Sequence, residues 1–353
     1  FFAEGIDQLK DNLIEARPVI FFGVPRIWEK FYAALSGKME LATGVKAKLL
    51  GWARGVGEQW SHHKMHGTTP GGFLKLKYAV AHKLIFSKVK TALGFDQTHT
   101  FVSGAAPVSR EILEFLASLD MPILEVYGQS EDCGPTTINR HGNARYGTVG
   151  LPFPGVEVKT LDPTDGNTDG EIVVRGRNVF KGYFKDENAT AATLKDGWLY
   201  SGDLGRFDDD GFLSITGRSK EIIITAGGKN IAPKNIEASL KNDPLVAEAV
   251  VIGDRRKFLS AVICLDDEAA ATFAEARGLD ATAVLQSDEA RGHIQALVDS
   301  TNQKFARVEH IRKFAILPRM LTVDDGELTP TLKVKRKMVD QNWSEVIEGM
   351  YAE

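Results

Sequence analysis

Apolar residues along this chain fall into two alternating rhythms. From Phe1 to about Tyr146 a helical spacing and a strand run take turns. Ile6, Leu9, Leu13 and Ile14 share one helical face, and the run Val19 to Phe22 follows as a strand. Pro25 then opens a helix on Trp28, Phe31, Tyr32 and Leu35. The same order recurs at THTFVSG, at a helix carrying Ile112, Leu116 and Leu119, and at the strand ILEVYG. Strands alternating with helices predict a parallel, doubly wound α/β sheet. Residues 38 to 99 read as helical with a break at TTPGG.

From Gly147 to Thr216 the rhythm shortens to strands broken by Gly, Pro and Asp, namely GVEVKTL, EIVVRG and FLSITG, with DDDG as a hairpin signal. This predicts a β-rich subdomain. After GRSKE the pattern mixes again: strand EIIIT, a helix with Ile236 and Leu240, strands AVVIG and SAVICL, two helical stretches and strand FAIL. The expected organisation is an α/β part over 1–146, a β-rich subdomain over 147–216, and a small mobile α/β domain over 217–353 joined by a hinge. The chain begins in the middle of an α/β unit, at Phe1 and not at Met, so it reads as a fragment lacking its N-terminal part.

Composition narrows the function. With 353 residues, 43% hydrophobic and 25% charged, the chain is expected to fold throughout as a globular protein of more than one domain. A net charge of −4 argues against a nucleic-acid binder. Two cysteines, Cys133 and Cys264, make no disulfide framework or metal-ligand spacing, which fits a reducing, cytoplasmic compartment. The apolar runs are too short to span a bilayer, and nothing reads as a signal peptide. Peripheral contact with a membrane and the oligomeric state are left open.

Candidate chemistry sits where strands end, the place where open α/β sheets bind ligands. In SGAAP, Gly104 and Ala105 leave the backbone open to a flat ring, although taken alone such a string reads first as a simple strand-to-helix turn. In YGQSE, Tyr127 offers a ring, Gly128 close approach, Ser130 a hydroxyl for phosphate and Glu131 a carboxylate for magnesium. The plainer reading makes Ser130 a helix cap and Glu131 a dipole partner. Asp203 in WLYSGDLG, read as a tight turn, can accept both hydroxyls of a ribose, or merely cap the turn. Arg218 in GRSK suits phosphate or ribose, and Lys333 is a point charge within a basic run that otherwise reads as a solvated face.

Taken in order, VPRI, SGAAP, YGQSE, GTVGLPFPG, GEIVVRG, GWLYSGDLG, GRSKEIIITAGGKNIAP and LTPTLKVKRK resemble the core motifs of the adenylate-forming superfamily over nearly the whole chain. The strings GGKNIAP and LTPTLKVKRK look like its long-chain fatty acyl-CoA synthetase branch, AMP-forming enzymes. The resemblance implies ATP, Mg2+ and CoA, a fatty acid substrate, and two steps in one site: acyl-AMP formation, then transfer to the CoA thiol. It implies Gly104 and Ala105 at the adenine, Tyr127 stacking on the base with Gly128 beside it, and Ser130 on the α-phosphate. Glu131 would hold magnesium, Asp203 the ribose, and Arg218 ribose or phosphate. Lys220 would be the hinge and Lys333 the catalytic lysine. A ligase passing acyl-AMP to a carrier-protein thiol, and a non-catalytic nucleotide-binding relative, are the alternatives.

Three features depart from that pattern. Ser130 replaces the usual Thr, and Leu332 stands where many relatives have Gly. The Ser/Thr/Gly-rich phosphate loop is absent; HGTTPGG at His66 to Gly72 lacks its lysine and lies out of order. The fragment alone is therefore expected to be inactive.

Overall fold

A computed structural model describes residues 8–161, 169–280, 284–329 and 332–352. The expected contribution of Ile6 to the first helix lies outside them. The chain divides into two compact units, Phe1–Thr216 and Gly217–Glu353.

The first unit opens with α1 (Leu9–Ala16), β1 (Ile20–Gly23), α2 (Pro25–Glu40), α3 (Gly44–His66), α4 (Gly72–Ala81) and α5 (Ser87–Ala92). A wide turn, His82–Phe86, makes α4 and α5 nearly continuous. HGTTPGG is the α3–α4 connection, with Gly67 in the left-handed region as the α3 cap. Next come β2 (Thr100–Ser103), α6 (Arg110–Ser118), β3 (Ile123–Gln129), β4 (Gly134–Ile138) and β5 (Leu151–Pro152). They form a sheet in the order β1-β2-β3-β4-β5. The first three strands are parallel, as the alternation predicts. From β3 onward the pairing is antiparallel, so the strand carrying YGQSE returns as a hairpin and not as a helix. The β-branched Thr136 and Thr137 explain the difference, since they favour a pleated strand over a helical turn. Trp28, Phe95, Phe101, Leu113, Leu116 and Ile123 are at the centre of the core beside this sheet.

The β-rich part contains β6 (Val156–Thr160), β7 (Gly170–Gly176), α7 (Glu187–Thr193), β8 (Leu194–Lys195), β9 (Trp198–Phe207) and β10 (Leu213–Arg218). The sheet order is β10-β9-β7-β6, with β8 on β9. The DDDG run makes the β9–β10 turn, where the Asp208 carboxylate accepts from the N–H groups of Asp210 and Phe212.

The second unit has β11 (Ile223–Ile224), β12 (Asn230–Ile231), α8 (Pro233–Leu240), β13 (Val246–Ile252), β14 (Leu259–Leu265), α9 (Asp267–Arg277), α10 (Asp288–Asn302), β15 (Ile311–Ile316), α11 (Arg336–Asn342) and α12 (Ser344–Tyr351). Its three-stranded sheet, β13-β14-β15, is buried along the whole of β14. One face packs on α8, α9 and α10 through Ile236, Phe273 and Ile294, the other on α11 and α12 through Val339 and Ile347. Among the described residues, no helix is long and apolar enough to cross a membrane.

Candidate active site

Two strand ends and one strand bulge of the first unit carry the expected residues. At the end of β2, Gly104 is needed because a Cβ there would come within 2.7 Å of Val126 Cγ1 on the neighbouring strand. Ala105, which follows, is held at φ 72 with its side chain exposed. A non-glycine residue in the left-handed region stores about 1–2 kcal/mol of strain. A simple connection between strand and helix would avoid that cost.

At the end of β3, Gly128 serves the fold. An added Cβ would sit 1.7 Å from the Gly134 carbonyl oxygen, so β4 occupies the space that a ligand was expected to use. Ser130–Asp132 form a short 3-10 turn. Its cap comes from Asp132, whose carboxylate accepts the Gln129 N–H at 2.8 Å and the Thr136 hydroxyl. Ser130 is exposed and is not the cap. Glu131 is half-buried and accepts the Tyr183 hydroxyl on Oε1 at 2.7 Å.

Asp203 does not occupy a tight turn. It lies inside the ten-residue strand β9, at a bulge where Ser201, Gly202 and Asp203 loop out between the pairings Val173↔Tyr200 and Glu171↔Leu204. Gly202 takes φ 71, its N–H donates to Glu171 Oε1 at 3.0 Å, and Ser201 Oγ bridges from the Asp203 N–H to the Ile172 carbonyl. Such bulges re-aim a side chain without ending the strand. Here the redirected carboxylate accepts the Tyr127 hydroxyl on Oδ2 at 2.8 Å. Both residues are nearly closed to water, at 6% and 9% exposure. Burial first, and the Asp203 carboxylate next, push the Tyr127 phenol well above its ordinary range, so it remains a donor. The ring packs with Ile172, Val174, Leu199 and Leu213. The expected open platform for a base is therefore, in this structure, a mostly buried brace that fixes Asp203.

Two residues of this region escaped the sequence reading. Tyr183 reaches Glu131 across 52 positions of sequence, and the same segment is tied down by Phe180 N–H to the Glu131 carbonyl and Asn178 Nδ2 to the Asp132 carbonyl. Its one sequence signal was the FKGYF string, where Phe180 and Tyr183 meet edge to face at 4.9 Å. Glu125, two residues before Tyr127, is a buried carboxyl pushed up to about 8 by desolvation, against the pull of a Gly147 N–H at 3.1 Å.

In the second unit Arg218 ends β10, exposed, with Glu221 at 4.0 Å, and Lys220 is exposed in the turn Ser219–Glu221. Lys333 is exposed at a turn clasped by Thr329: its N–H donates to Thr329 Oγ1 at 3.0 Å, and its carbonyl accepts the Thr329 N–H at 2.8 Å. Leu332 takes φ 59, which explains why glycine suits this position. The turn is anchored by Glu327, whose side chain is fully buried. Its carboxylate accepts two bonds from Arg319, at 2.7 and 2.9 Å, one from the Thr322 N–H and one from Trp343 Nε1. Burial opposes ionisation of Glu327, but Arg319 and the N–H donors outweigh it and hold the group below its ordinary value. The basic run is thus not uniformly a solvated face: Arg336 pairs with the buried Glu237, while Lys335 and Lys337 are exposed.

Gly104 and Ala105 at the carboxyl end of β2, and Ser130 and Glu131 just after β3, lie where open α/β sheets commonly bind ligands, and Tyr127 of β3 braces Asp203. Residues 2–184 match the AMP-binding enzyme family, and residues 220–353 match the AMP-binding enzyme C-terminal domain. The chain belongs to the AMP-binding enzyme family. It is 38% identical over 371 residues to the long-chain-fatty-acid–CoA ligase ACSBG2 of Xenopus laevis, covering 98% of this chain and 50% of that protein. It is 39% identical over 354 residues to the long-chain-fatty-acid–CoA ligase FadD15 of Mycobacterium bovis, covering 99% of this chain and 57% of that one. The chain spans about half the length of the curated relatives it matches. Its fold resembles the adenylation domain of a carboxylate reductase from Mycobacterium chelonae, with TM-score 0.74 and 20% identity over 99% of this chain and 49% of that one.

Proposed function

We propose that this chain carries nucleotide-binding and catalytic residues of an AMP-forming acyl-CoA synthetase that activates long-chain fatty acids with ATP and passes the acyl group to CoA. The observation that supports it most is the bulge of β9, which spends a strand's regularity on aiming one carboxylate, Asp203, and braces it with Tyr127. Two similar proteins are long-chain-fatty-acid–CoA ligases, which favours CoA over a carrier thiol.

In this reading Asp203 accepts the ribose hydroxyls, and the strained backbone at Gly104 and Ala105 lies along the adenine. Ser130 contacts the α-phosphate, Arg218 holds ribose or phosphate, and Lys220 is the hinge. Glu131 suits a magnesium ion, because Mg2+ commonly takes one or two carboxylates and fills its other positions with phosphate oxygens and water. Among the described residues no cluster of three His, Cys, Asp or Glu would hold an ion unaided, so such an ion would arrive with the nucleotide. Bound there, it would neutralise phosphate charge. Lys333 adds its positive charge as the carboxylate of the acid attacks the α-phosphate and pyrophosphate leaves. It then withdraws by a hinge motion before the thiol attacks the acyl carbonyl. A cytoplasmic location accords with free Cys133 and Cys264.

The test separates the half-reactions in the full-length protein. Lys333→Ala is expected to lower palmitate-dependent ATP–pyrophosphate exchange about 10²–10³-fold, by analogy with the loss of one oxyanion donor. Conversion of supplied acyl-AMP and CoA to acyl-CoA should stay near the parental rate, as should both steps in Lys335→Ala and Lys337→Ala. Equal loss of both steps in all three variants would reduce the basic run to a general electrostatic patch and remove Lys333 from its role.

A further inference from the structure

The helix from Gly72 onward has two apolar faces, and only one is used by the fold. Ala81 and Phe86 are fully buried, and Tyr78 stacks on Trp60 of α3 with ring centroids 3.9 Å apart. Leu74 and Ile85 pack on the same cluster. The opposite face shows Phe73, Leu76, Val80 and Leu84 to water, at 71%, 64%, 43% and 39% exposure. Their spacing along the sequence sets them in one stripe along the helix axis. A continuous stripe of large apolar side chains on a protein surface marks a contact.

Charge selects the partner. Between Gly71 and Gly94 there is no Asp or Glu, but there are lysines at 75, 77, 83, 88 and 90, in a chain whose net charge is −4. Lys90 is engaged with Asp120. Lys75, Lys77, Lys83 and Lys88 make no ion pair among the described residues, and the Lys77 ammonium lies over the Phe73 ring at 4.3 Å. An apolar line bordered by cations is the pattern of a helix that lies in the plane of a membrane surface. The extent of the stripe agrees. Phe73 to Leu84 covers roughly 16 Å at the helical rise. Four side chains in single file bury roughly a few hundred Å², short of the roughly 800 Å² per partner of a stable protein interface. A bilayer needs only a strip that enters its boundary layer.

We propose that α4 and α5 dock this protein on bilayers bearing anionic headgroups, with Phe73, Leu76, Val80 and Leu84 entering the acyl boundary and Lys77, Lys83 and Lys88, which flank that stripe, meeting the headgroup charges. The surface stands on its own geometry and does not depend on the fatty-acid reading. The experiment is flotation of the 353-residue chain with phosphatidylcholine vesicles, plain or containing about a third phosphatidylglycerol. Binding is expected on the anionic vesicles and to fall about tenfold or more in Lys83→Glu/Lys88→Glu, in Phe73→Ser/Leu84→Ser, or on raising salt to about 0.5 M. All four substituted side chains are exposed, so the circular dichroism melt of each variant should match the parent. No binding to anionic vesicles would overturn the proposal, as would equal binding to neutral ones or variants that bind unchanged. Sedimentation showing that the parent self-associates while Phe73→Ser/Leu84→Ser is monomeric, with no vesicle binding by either, would assign the stripe to contacts between copies and also overturn it.

Discussion

Replacing Tyr127 with phenylalanine removes the phenol hydroxyl alone. The ring stays among Ile172, Val174, Leu199 and Leu213, and the donor to Asp203 Oδ2, which also interacts with Ser201, is lost. A 2.8 Å bond from a phenol to a carboxylate, with both residues under a tenth exposed, is a charge-assisted bond in a dry setting. Its loss should cost about 1.5–3 kcal/mol. Asp203→Asn keeps an acceptor oxygen but removes the charge, and should cost less. A turn carboxylate could be deleted with little effect on folding; this buried one cannot, because Asp203→Ala leaves the Tyr127 hydroxyl without its acceptor. Amide hydrogen exchange in β7 and β9 measures the local stability directly. The cycle of Tyr127→Phe, Asp203→Asn and the double variant should give a coupling of about 1 kcal/mol or more. Calorimetry with AMP should show Tyr127→Phe weakening the nucleotide along with the strand, since Asp203 loses its brace. A coupling below about 0.5 kcal/mol would mean that the pair is only geometric neighbours. Unchanged AMP affinity in Asp203→Ala would remove Asp203 from the site.

Glu327→Gln should destabilise the second unit by about 1.5–3 kcal/mol at neutral pH, the worth of charge-assisted bonds to the half-exposed Arg319. Because Glu327 sits below its ordinary value near 4.5, its contribution is complete above that pH and is lost as pH falls through the lower folded value; urea titrations of parent and variant should converge in acid. Glu125 has the opposite sign: raised to about 8, it costs stability progressively as pH rises from about 4.5 toward 8. Glu125→Gln should therefore flatten the pH profile and gain most above pH 7, and an unchanged profile in thermal melts would refute this. Leu332→Gly should remove left-handed strain of about 1–2 kcal/mol, less the roughly 0.5–1 kcal/mol entropic cost of glycine. A clear loss of stability on denaturation would show that Leu332 supplies a contact that outweighs its φ.

Strands β1, β2 and β3, the helix after Pro25 and the DDDG turn were legible because each is encoded within a few residues. A run of apolar side chains, a fixed φ and an Asp–Gly turn act locally. What could not be read is set by distance. Within YGQSE the local pattern fits the start of a helix as well as a ligand site; the pairing with β4 makes it a hairpin, and the Gly134 carbonyl adjoins Gly128. The bulge at Asp203 depends on how β9 registers with β7, which no window of β9 reveals. Tyr183 lies far along the chain from Glu131, and Arg336 from Glu237, so their pairing is a property of the fold and not of either motif. The run Lys333 to Lys337 shows the consequence: one composition, read as one solvated face, contains a part-buried ion pair at Arg336 beside the exposed Lys333.

The two carboxylates of the site are held in different ways, and the difference matches the tasks proposed for them. Asp203 is over-determined by a strand bulge, a left-handed glycine and a buried phenol, so moving it would disturb the sheet. A ribose, with hydroxyls at fixed separation, benefits from an acceptor that does not move, because no ordering cost is left to meet on binding. The side-chain bond described for Glu131 comes from Tyr183, which is itself 39% exposed. A hydrogen bond open to water contributes about 0.5–1.5 kcal/mol, so an incoming cation can displace it with little loss to the fold. Interchanging the two arrangements would serve neither purpose. A buried, phenol-bonded carboxylate would have to break its brace to coordinate a metal, and a half-buried, singly tethered one would hold a ribose loosely. The roles proposed here thus fall on a rigid acid in β9 and a more loosely held one in the turn after β3.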